Sequence, residues 1–205
     1  MTNMDRKFLV ISKGVFHPSL IAKRNLKKLL KSLDTFSFVF KNRLEDLEIT
    51  KKDDSFTGLI FFFHEKKLSD DLWQIIDSYC EDKRAILLIH GAMASFKSHK
   101  AYQELAGGSF KGHKKPGPIE IKSDNVSFYL TDELYTHNML EGNHIWLKGK
   151  LDNLEEPILW TRTYKKAKVG YFSLGHFAKT FKNENVKNIL KNTLEYLSGS
   201  KEEIL

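Results

Sequence analysis

The chain has 205 residues, of which 41% are hydrophobic, so it can bury a full core, and its length favours one domain over two. No apolar run approaches the roughly 20 residues of a membrane-spanning helix, which excludes that class of protein. The net charge of +7 does not by itself indicate nucleic-acid binding, because the basic residues fall on separate segments among carboxylates and no nucleic-acid motif is present.

Strand and helix patterns alternate through the first half of the chain. Residues 7–12 form the first predicted strand, and apolar residues at three- and four-residue spacing between Leu20 and Leu33 predict a helix on a sheet. Ser69 is a predicted N-cap, followed by acidic residues, of a second helix that carries Cys80 on its apolar face. The other strands predicted in this half are Phe36–Phe40, Gly58–Phe63 and Ala85–Ile89.

The second half departs from this alternation. Residues 107–113 have the pattern of a glycine-rich loop, and shorter strand-like runs follow near 118–130 and 143–149. Beyond them we predict a strand pair at 157–163 and 169–174, a closing helix with apolar residues between 186 and 197, and a frayed tail at 198–205. We expect a single domain over residues 1–205, with its core at about 7–198.

This order of elements indicates an α/β fold with three layers. Alternating strands and helices predict a doubly wound, mostly parallel, flavodoxin-like sheet with helices on both faces. The carboxyl ends of parallel strands meet at one edge, where such sheets bind ligands. Four predicted strands lead to a histidine there: His17, His64, His90 and His176.

The segments resemble, in order and wording, the ThuA-like (trehalose-utilisation) family, which has the fold of class I glutamine amidotransferases. The resemblance covers about residues 8–197, and it implies a role in the utilisation of trehalose or a related sugar. Its motifs are His17, His90-Gly91 with Phe96, Tyr102 before the run Gly107 to His113, Asp132-Glu133-Leu134-Tyr135, Pro157 to Trp160 with Tyr164, and Gly175-His176. One departure is Lys165-Lys166-Ala167-Lys168, where many relatives have Gly-Lys-Gly-Arg.

The amidotransferase nucleophile is absent. Enzymes of that fold carry a cysteine in the tight turn after a central strand, and the resemblance puts Ile89 at that position. Cys80 is predicted to be a buried core thiol, and Ser95 lacks the Gly-x-Ser-x-Gly pattern of an exposed serine nucleophile. We therefore do not expect a glutamine amidotransferase.

The cysteine count also bears on cellular location. Cys80 is the only cysteine, so the chain forms no internal disulfide, which agrees with a reducing compartment. The first residues lack the apolar core of a signal peptide. We expect a cytoplasmic protein.

Imidazoles and one carboxylate are the predicted chemistry of the site. A divalent metal such as zinc takes such ligands, and its candidate ligands here are His17, His90, His113 and His176, with Glu133. Without a metal, Glu133, His90 and His176 are candidates for general acid and base at a sugar hydroxyl or next to a carbonyl. We choose Glu133 over Asp132 because neighbours in a strand point to opposite faces. For each histidine alone, a structural role is the alternative.

Aromatic residues near the edge favour a small sugar as the ligand. Rings on which a sugar can stack are Phe16, Phe96, Tyr102, Phe110, Tyr135 and Trp160, with core packing as the alternative, above all for Phe110 and Trp160. We expect Phe96, Tyr102 and Tyr135, with His17 and His113, to contact the substrate. The sequence leaves open whether the chain forms a homo-oligomer.

Three functions follow from these features. The first is an enzyme acting on a sugar or oxidised sugar as a hydrolase, isomerase or lyase. The alternatives are a non-catalytic carbohydrate-binding module and an interaction protein on a degenerate amidotransferase scaffold. Convergence of the histidines and Glu133 on one point would favour the enzyme, because a binding module does not need several imidazoles.

Overall fold

The computed structural model describes residues 6–14, 18–82 and 84–205. In these ranges the strands are β1 (Arg6–Ile11), β2 (Phe36–Lys41), β3 (Phe56–Phe61), β4 (Ala85–Ile89), β5 (Gly108–His113), β6 (Gly117–Lys122), β7 (Ser127–Asp132), β8 (Tyr135–Met139), β9 (His144–Leu151), β10 (Leu154–Tyr164) and β11 (Ala167–Phe172). The α-helices are α1 (Leu20–Lys31), α2 (Asp70–Glu81), α3 (Lys100–Ala106) and α4 (Glu184–Leu197). Short 3₁₀ helices cover Leu44–Lys51, His90–Ala92 and Thr180–Lys182.

Most of the strands lie in one mixed sheet. Within the described ranges it has nine strands in the order β2-β1-β3-β4-β11-β10-β9-β6-β7, and β5 pairs with β8 in a separate ribbon. The five strands from β2 to β11 are parallel, whereas β10, β9, β6 and β7 continue the sheet with antiparallel pairing. The α/β fold is confirmed, but "mostly parallel" describes only the first five strands, because hairpins without crossover helices build the rest.

Helices cover both faces of the parallel strands. In β1, Phe8 and Val10 pack in one apolar core with α1 and α4, while Leu9 and Ile11 pack in a second core with α2 and α3. Alternate strand residues point to opposite faces, so the two cores lie on opposite sides of the sheet. The predicted three-layer arrangement is therefore confirmed. None of the helices in the described ranges is long and apolar enough to cross a membrane.

Two segments differ from their predicted state. The glycine-rich run expected to be a loop is strand β5, which pairs with β8; a Cβ at Gly108 would lie only 2.7 Å from the carbonyl oxygen of Asn138. The glycine therefore permits close strand pairing here. The tail expected to be frayed folds back onto the core, where Ile204 is fully buried.

The turn between β10 and β11 contains the departure from the family pattern. Lys165 has φ +52° there, a left-handed conformation that glycine adopts without steric cost. The lysine instead makes ion pairs with Asp77 and Glu81 of α2. This sequence thus places a lysine at a left-handed turn position.

Cys80 is expected to be chemically inert in the folded protein. Its side chain is fully buried in the core beneath α2, and burial raises the pKa of the thiol to about 12. Because only the thiolate reacts, we expect no colour with a disulfide reagent in native buffer and one equivalent after denaturation. Rapid labelling of the native protein would contradict this placement.

Candidate active site

Four segments that are distant in sequence meet at the carboxyl edge of the parallel strands. His90 follows β4, His176 follows β11, Glu133 lies between β7 and β8, and His113 ends β5. One carboxylate joins them: Glu133 Oε1 lies 3.1 Å from His113 Nδ1, and its Oε2 lies 3.3 Å from His176 Nδ1 and 3.8 Å from His90 Nε2. The structure thus brings three of the four candidate histidines around the candidate carboxylate.

His90 is held rigidly in one orientation. Its side chain is fully buried, and its Nδ1 lies 2.7 Å from the carbonyl oxygen of Ser173. A carbonyl only accepts, so Nδ1 carries a proton, and in the neutral ring Nε2 is the acceptor for the Tyr135 hydroxyl at 3.0 Å. This arrangement directs Nε2 toward Glu133.

The backbone of the turn after β4 is strained at His90. Its φ is +48°, whereas Ile89 has φ −121° and is ordinary extended backbone. In folds with a nucleophile turn, the strained residue is the one whose side chain is presented at the strand end. The structure therefore corrects the position given to Ile89, because the imidazole of His90 occupies the place of the presented side chain.

Asp132 fixes the loop that carries His176. It is fully buried and accepts hydrogen bonds from the backbone N–H groups of Glu133 at 2.7 Å, Gly175 at 3.0 Å and His176 at 3.1 Å, and from the hydroxyl of Thr180. Burial raises the pKa of this carboxyl, while the accepted hydrogen bonds oppose the rise. Asp132 thus ties β7 to the loop after β11.

The electrostatics of the site centre on Glu133. Only 5% of the residue is exposed, and burial raises the pKa of the carboxyl above its ordinary value, whereas His176 and His113 act to lower it. Burial and the neighbouring carboxylates of Glu133 and Asp132 raise the pKa of Tyr135, so its phenol stays protonated near neutral pH. A buried carboxylate with a raised pKa is a common feature of acid–base sites.

A cavity of about 310 Å³ opens above Glu133. Its lining residues are His64, Ala94, Lys97, Phe110, His113, Glu133, Tyr135 and His176. The ammonium of Lys97 lies 5.1 Å from the centroid of the Phe110 ring, and Phe110 packs edge-on against Tyr135. Aromatic and ionisable groups thus face the same space, as is typical of small-molecule sites.

Two of the residues expected to contact substrate lie beneath the site. Phe96 and Tyr102 are each 1% exposed and pack against one another, and the Tyr102 hydroxyl donates to the carbonyl of Ala92 at 2.9 Å. Burial at this level leaves no face for a ligand, so both support the turn after β4 instead. Trp160 is also fully buried, as core packing predicts, whereas Phe110 faces the cavity. His17 lies outside the described residues.

The predicted site set omitted several residues that shape the site. His64 follows a buried strand as His90 does, so its position in the sequence carried a signal. Asp132 was excluded because side chains alternate between the two faces of a strand, and Glu133 was assigned to the side of the cavity. That alternation holds only inside a strand, and β7 ends at Asp132. No sequence pattern indicated that Lys97 and Ser173 would contribute to the site.

We expect Gly175→Ala to destabilise the protein and disturb His176. Gly175 has φ +140°, and an added Cβ would lie 3.0 Å from Phe181 and 3.3 Å from the Cβ of His90. Strained backbone of this kind costs about 1–3 kcal/mol, and the crowded Cβ adds to this cost; urea unfolding measures the lost stability. Gly142→Ala is the control, since Gly142 also has positive φ, +83°, but open space around it. Equal losses of stability in the two variants would show that the contacts of the added Cβ at position 175 have no effect.

Three of these side chains fit a divalent cation. Single ligand atoms of His90, Glu133 and His176 all lie within 4.8 Å of one another. Tetrahedral zinc with bonds of about 2.0–2.2 Å separates its ligands by roughly 3.4 Å. The 3.3 and 3.8 Å from the Glu133 carboxylate are close to this value, whereas the three ligand atoms together span up to 4.8 Å. The Nδ1 hydrogen bond of His90 is also typical of metal-binding histidines.

Comparison with known proteins gives a consistent result. Residues 7–197 match the family model ThuA, described as trehalose utilisation. A ThuA-like protein of Parabacteroides merdae aligns with a TM-score of 0.80 and 15% identity over 96% of this chain and 91% of its own, and one of Bacteroides uniformis with 0.75 and 15% over 93% and 91%.

A larger protein contains a domain of similar fold. A β-galactosidase of Bacillus circulans sp. alkalophilus aligns with a TM-score of 0.63 and 8% identity over 97% of this chain but only 32% of its own. At these identities the structural matches show the fold alone. Among curated proteins, none matches the chain significantly.

Proposed function

The chain belongs to the ThuA family of trehalose utilisation, and from that premise we propose that it is an enzyme acting on a sugar or oxidised sugar in the cavity above Glu133. A small sugar is the proposed partner. The family supplies the substrate class, and the arrangement of the side chains supplies the chemistry.

One observation carries this proposal: a buried carboxylate surrounded by three imidazoles at the floor of a cavity. A carbohydrate-binding module would need the aromatic wall of Phe110 and Tyr135, but it has no need for a buried ionisable cluster. Burying a carboxylate costs free energy unless it is paired, and such a cost is commonly met at catalytic sites. The cluster therefore favours the enzyme over both alternatives.

We propose that Glu133 is the general base. It takes a proton from a substrate hydroxyl or from a carbon next to a carbonyl, and its raised pKa brings it closer to neutral pH, where a general base is most effective. His113 and His176 contact its two oxygens and pass protons between the carboxyl and the open side of the cavity. His90 and Tyr135 hold the floor of the site through the hydrogen bond between them.

A divalent cation is the second candidate for this site, and the two distances from Glu133 to the histidines favour it. His90, Glu133 and His176 would hold the ion. It would supply a Lewis acid that polarises a carbonyl or a bound hydroxyl. In that case His113, which lies on the exposed side of Glu133, remains available for proton transfer.

Proton abstraction next to a carbonyl can be tested without knowing the final product. The protein is incubated in D₂O with a panel of aldoses, ketoses and sugar acids, and each sugar is analysed by mass spectrometry. We expect at least one to gain deuterium at a carbon-bound position. His144→Gln, which alters an exposed histidine away from the cavity, should leave the exchange rate unchanged. If no sugar exchanges or binds, the proposal fails.

The proposed location is the cytoplasm. The single thiol is buried and reduced, as is usual in a reducing compartment.

A further inference from the structure

A second cavity lies at the same edge of the sheet, away from His90, His113 and His176. It has a volume of about 410 Å³ and is formed by the carboxyl ends of β1 and β2 and the first turns of α1. The cavity lies between β2 and β1, and β3 separates β1 from β4, the strand that leads to His90. Because neighbouring strands lie about 4.8 Å apart, the cavity is roughly 12 Å from His90. The proposed function does not involve this cavity.

Basic side chains line this cavity from two different elements. Helix α1 contributes Lys23, Arg24 and Lys27, and Lys41 is the last residue of β2. No carboxylate is among its lining residues in the described ranges. The sequence alone predicts a solvated lysine-rich surface, whereas the fold gathers Lys41 with the three cations of α1 around one concavity.

These four cations make no ion pair within the part of the chain that the structure describes. Lys23 donates to the carbonyl of Gly14, and the ammonium of Lys27 lies 5.0 Å from the centroid of the Phe40 ring. A cluster of positive charge without acidic partners is unfavourable on its own and attracts an anion.

A hydroxyl completes the lining. Ser12 follows β1, and its buried Oγ has no hydrogen-bond partner among the described residues. Buried polar groups are nearly always hydrogen-bonded, so an orphan hydroxyl calls for an explanation. Rotation about its Cα–Cβ bond would turn it toward an oxygen of a bound anion.

We propose that this cavity binds the phosphate group of a small phosphorylated ligand, such as a sugar phosphate. Four cations and a hydroxyl donor around one concavity match the several oxygens and double charge of a phosphate monoester. The position also agrees with the edge at which open α/β sheets bind ligands. A nucleic acid would need an extended basic surface, whereas these groups line one concavity.

Inorganic phosphate is the first probe. Calorimetric titration is compared with sodium chloride at equal ionic strength, which removes the general effect of salt. We expect Arg24→Gln/Lys41→Gln to weaken phosphate binding roughly tenfold, and Lys28→Gln/Lys31→Gln, which removes two charges from the same helix outside the cavity, to change it less than about twofold. Equal losses in the two variants, or no binding by the wild type, would overturn the proposal.

Ser12→Ala provides a test that does not alter charge. Because the hydroxyl has no hydrogen-bond partner among the described residues, the variant should fold with unchanged stability yet bind phosphate more weakly. Glucose 6-phosphate should bind to this site and glucose should not, and loss of its binding in Arg24→Gln/Lys41→Gln would assign the phosphate ester to the cavity. Tighter binding of duplex DNA than of either phosphate, lost in the same variant, would overturn the proposal in favour of a nucleic acid. The outcome is independent of catalysis at Glu133, since none of these measurements uses turnover.

Discussion

Replacing Asp132 with alanine will lower the free energy of unfolding by about 4 kcal/mol, because each buried donor left without an acceptor costs about 1–3 kcal/mol. The carboxylate accepts four hydrogen bonds, and its loss leaves the backbone N–H groups of Gly175 and His176 without an acceptor in a buried place. For a chain of this length, that corresponds to a fall in melting temperature of roughly 12 °C. Urea and thermal unfolding both measure it.

Two further variants test whether the lost hydrogen bonds of Asp132 cause this loss of stability. Asp124→Ala removes an exposed aspartate from the β6–β7 turn and should change stability by less than about 0.5 kcal/mol. Asp132→Asn keeps the size of the side chain but replaces one acceptor oxygen with a donor, so we expect about half the loss of the alanine variant. A loss in Asp132→Ala no greater than in the exposed control would show that the network does not hold the loop.

The parallel half of the fold and the position of the site could be predicted from the sequence. Strands such as β4 are continuous apolar runs because both faces are covered by helices, and their ends are marked by a polar residue. That pattern located His90 and His176. The fold then places their rings 5.8 Å apart between centroids, because β4 and β11 are hydrogen-bonded neighbours in the sheet.

The separate ribbon formed by β5 and β8 was harder to predict. β5 and β8 are short and half-exposed, and they contain polar and glycine residues, so their sequence lacks the apolar alternation of a strand. Their pairing depends on contacts distant in the chain, such as His113 opposite Tyr135. The buried position of Phe96 could not be predicted from its residue type either. Its φ of +50° turns the ring into the core.

The cation set of α1 shows why charge patterns in sequence are incomplete. Lys41 is 14 residues or more from the basic residues of the helix that line the cavity, and it joins them only because β2 pairs in parallel with β1. The sequence gives the number of charges, whereas the topology decides which of them share a cavity.

Replacing Glu133 with glutamine will abolish proton exchange while leaving the fold intact. Loss of a general base slows proton transfer by about 10²–10⁴-fold, and the neutral amide cannot accept the proton. Glutamine has nearly the same shape, and it removes a buried charge whose desolvation is costly, so we expect stability to change by no more than about 1 kcal/mol. Glu156→Gln is the matched control, since Glu156 also faces a histidine, His137, at 3.6 Å but lies outside the cavity. Exchange at the wild-type rate in Glu133→Gln would exclude Glu133 as the base.

The same pair of variants separates the two candidate chemistries. Untagged protein treated with a chelator is titrated with Zn²⁺ by calorimetry. If His90, Glu133 and His176 hold a cation, Glu133→Gln will weaken its binding at least about 100-fold, because losing even an outer-shell partner costs 10–100-fold. Glu156→Gln should bind as the wild type does. A wild type that binds no divalent cation but exchanges deuterium through Glu133 would exclude the metal and leave acid–base catalysis by the carboxylate and its imidazoles.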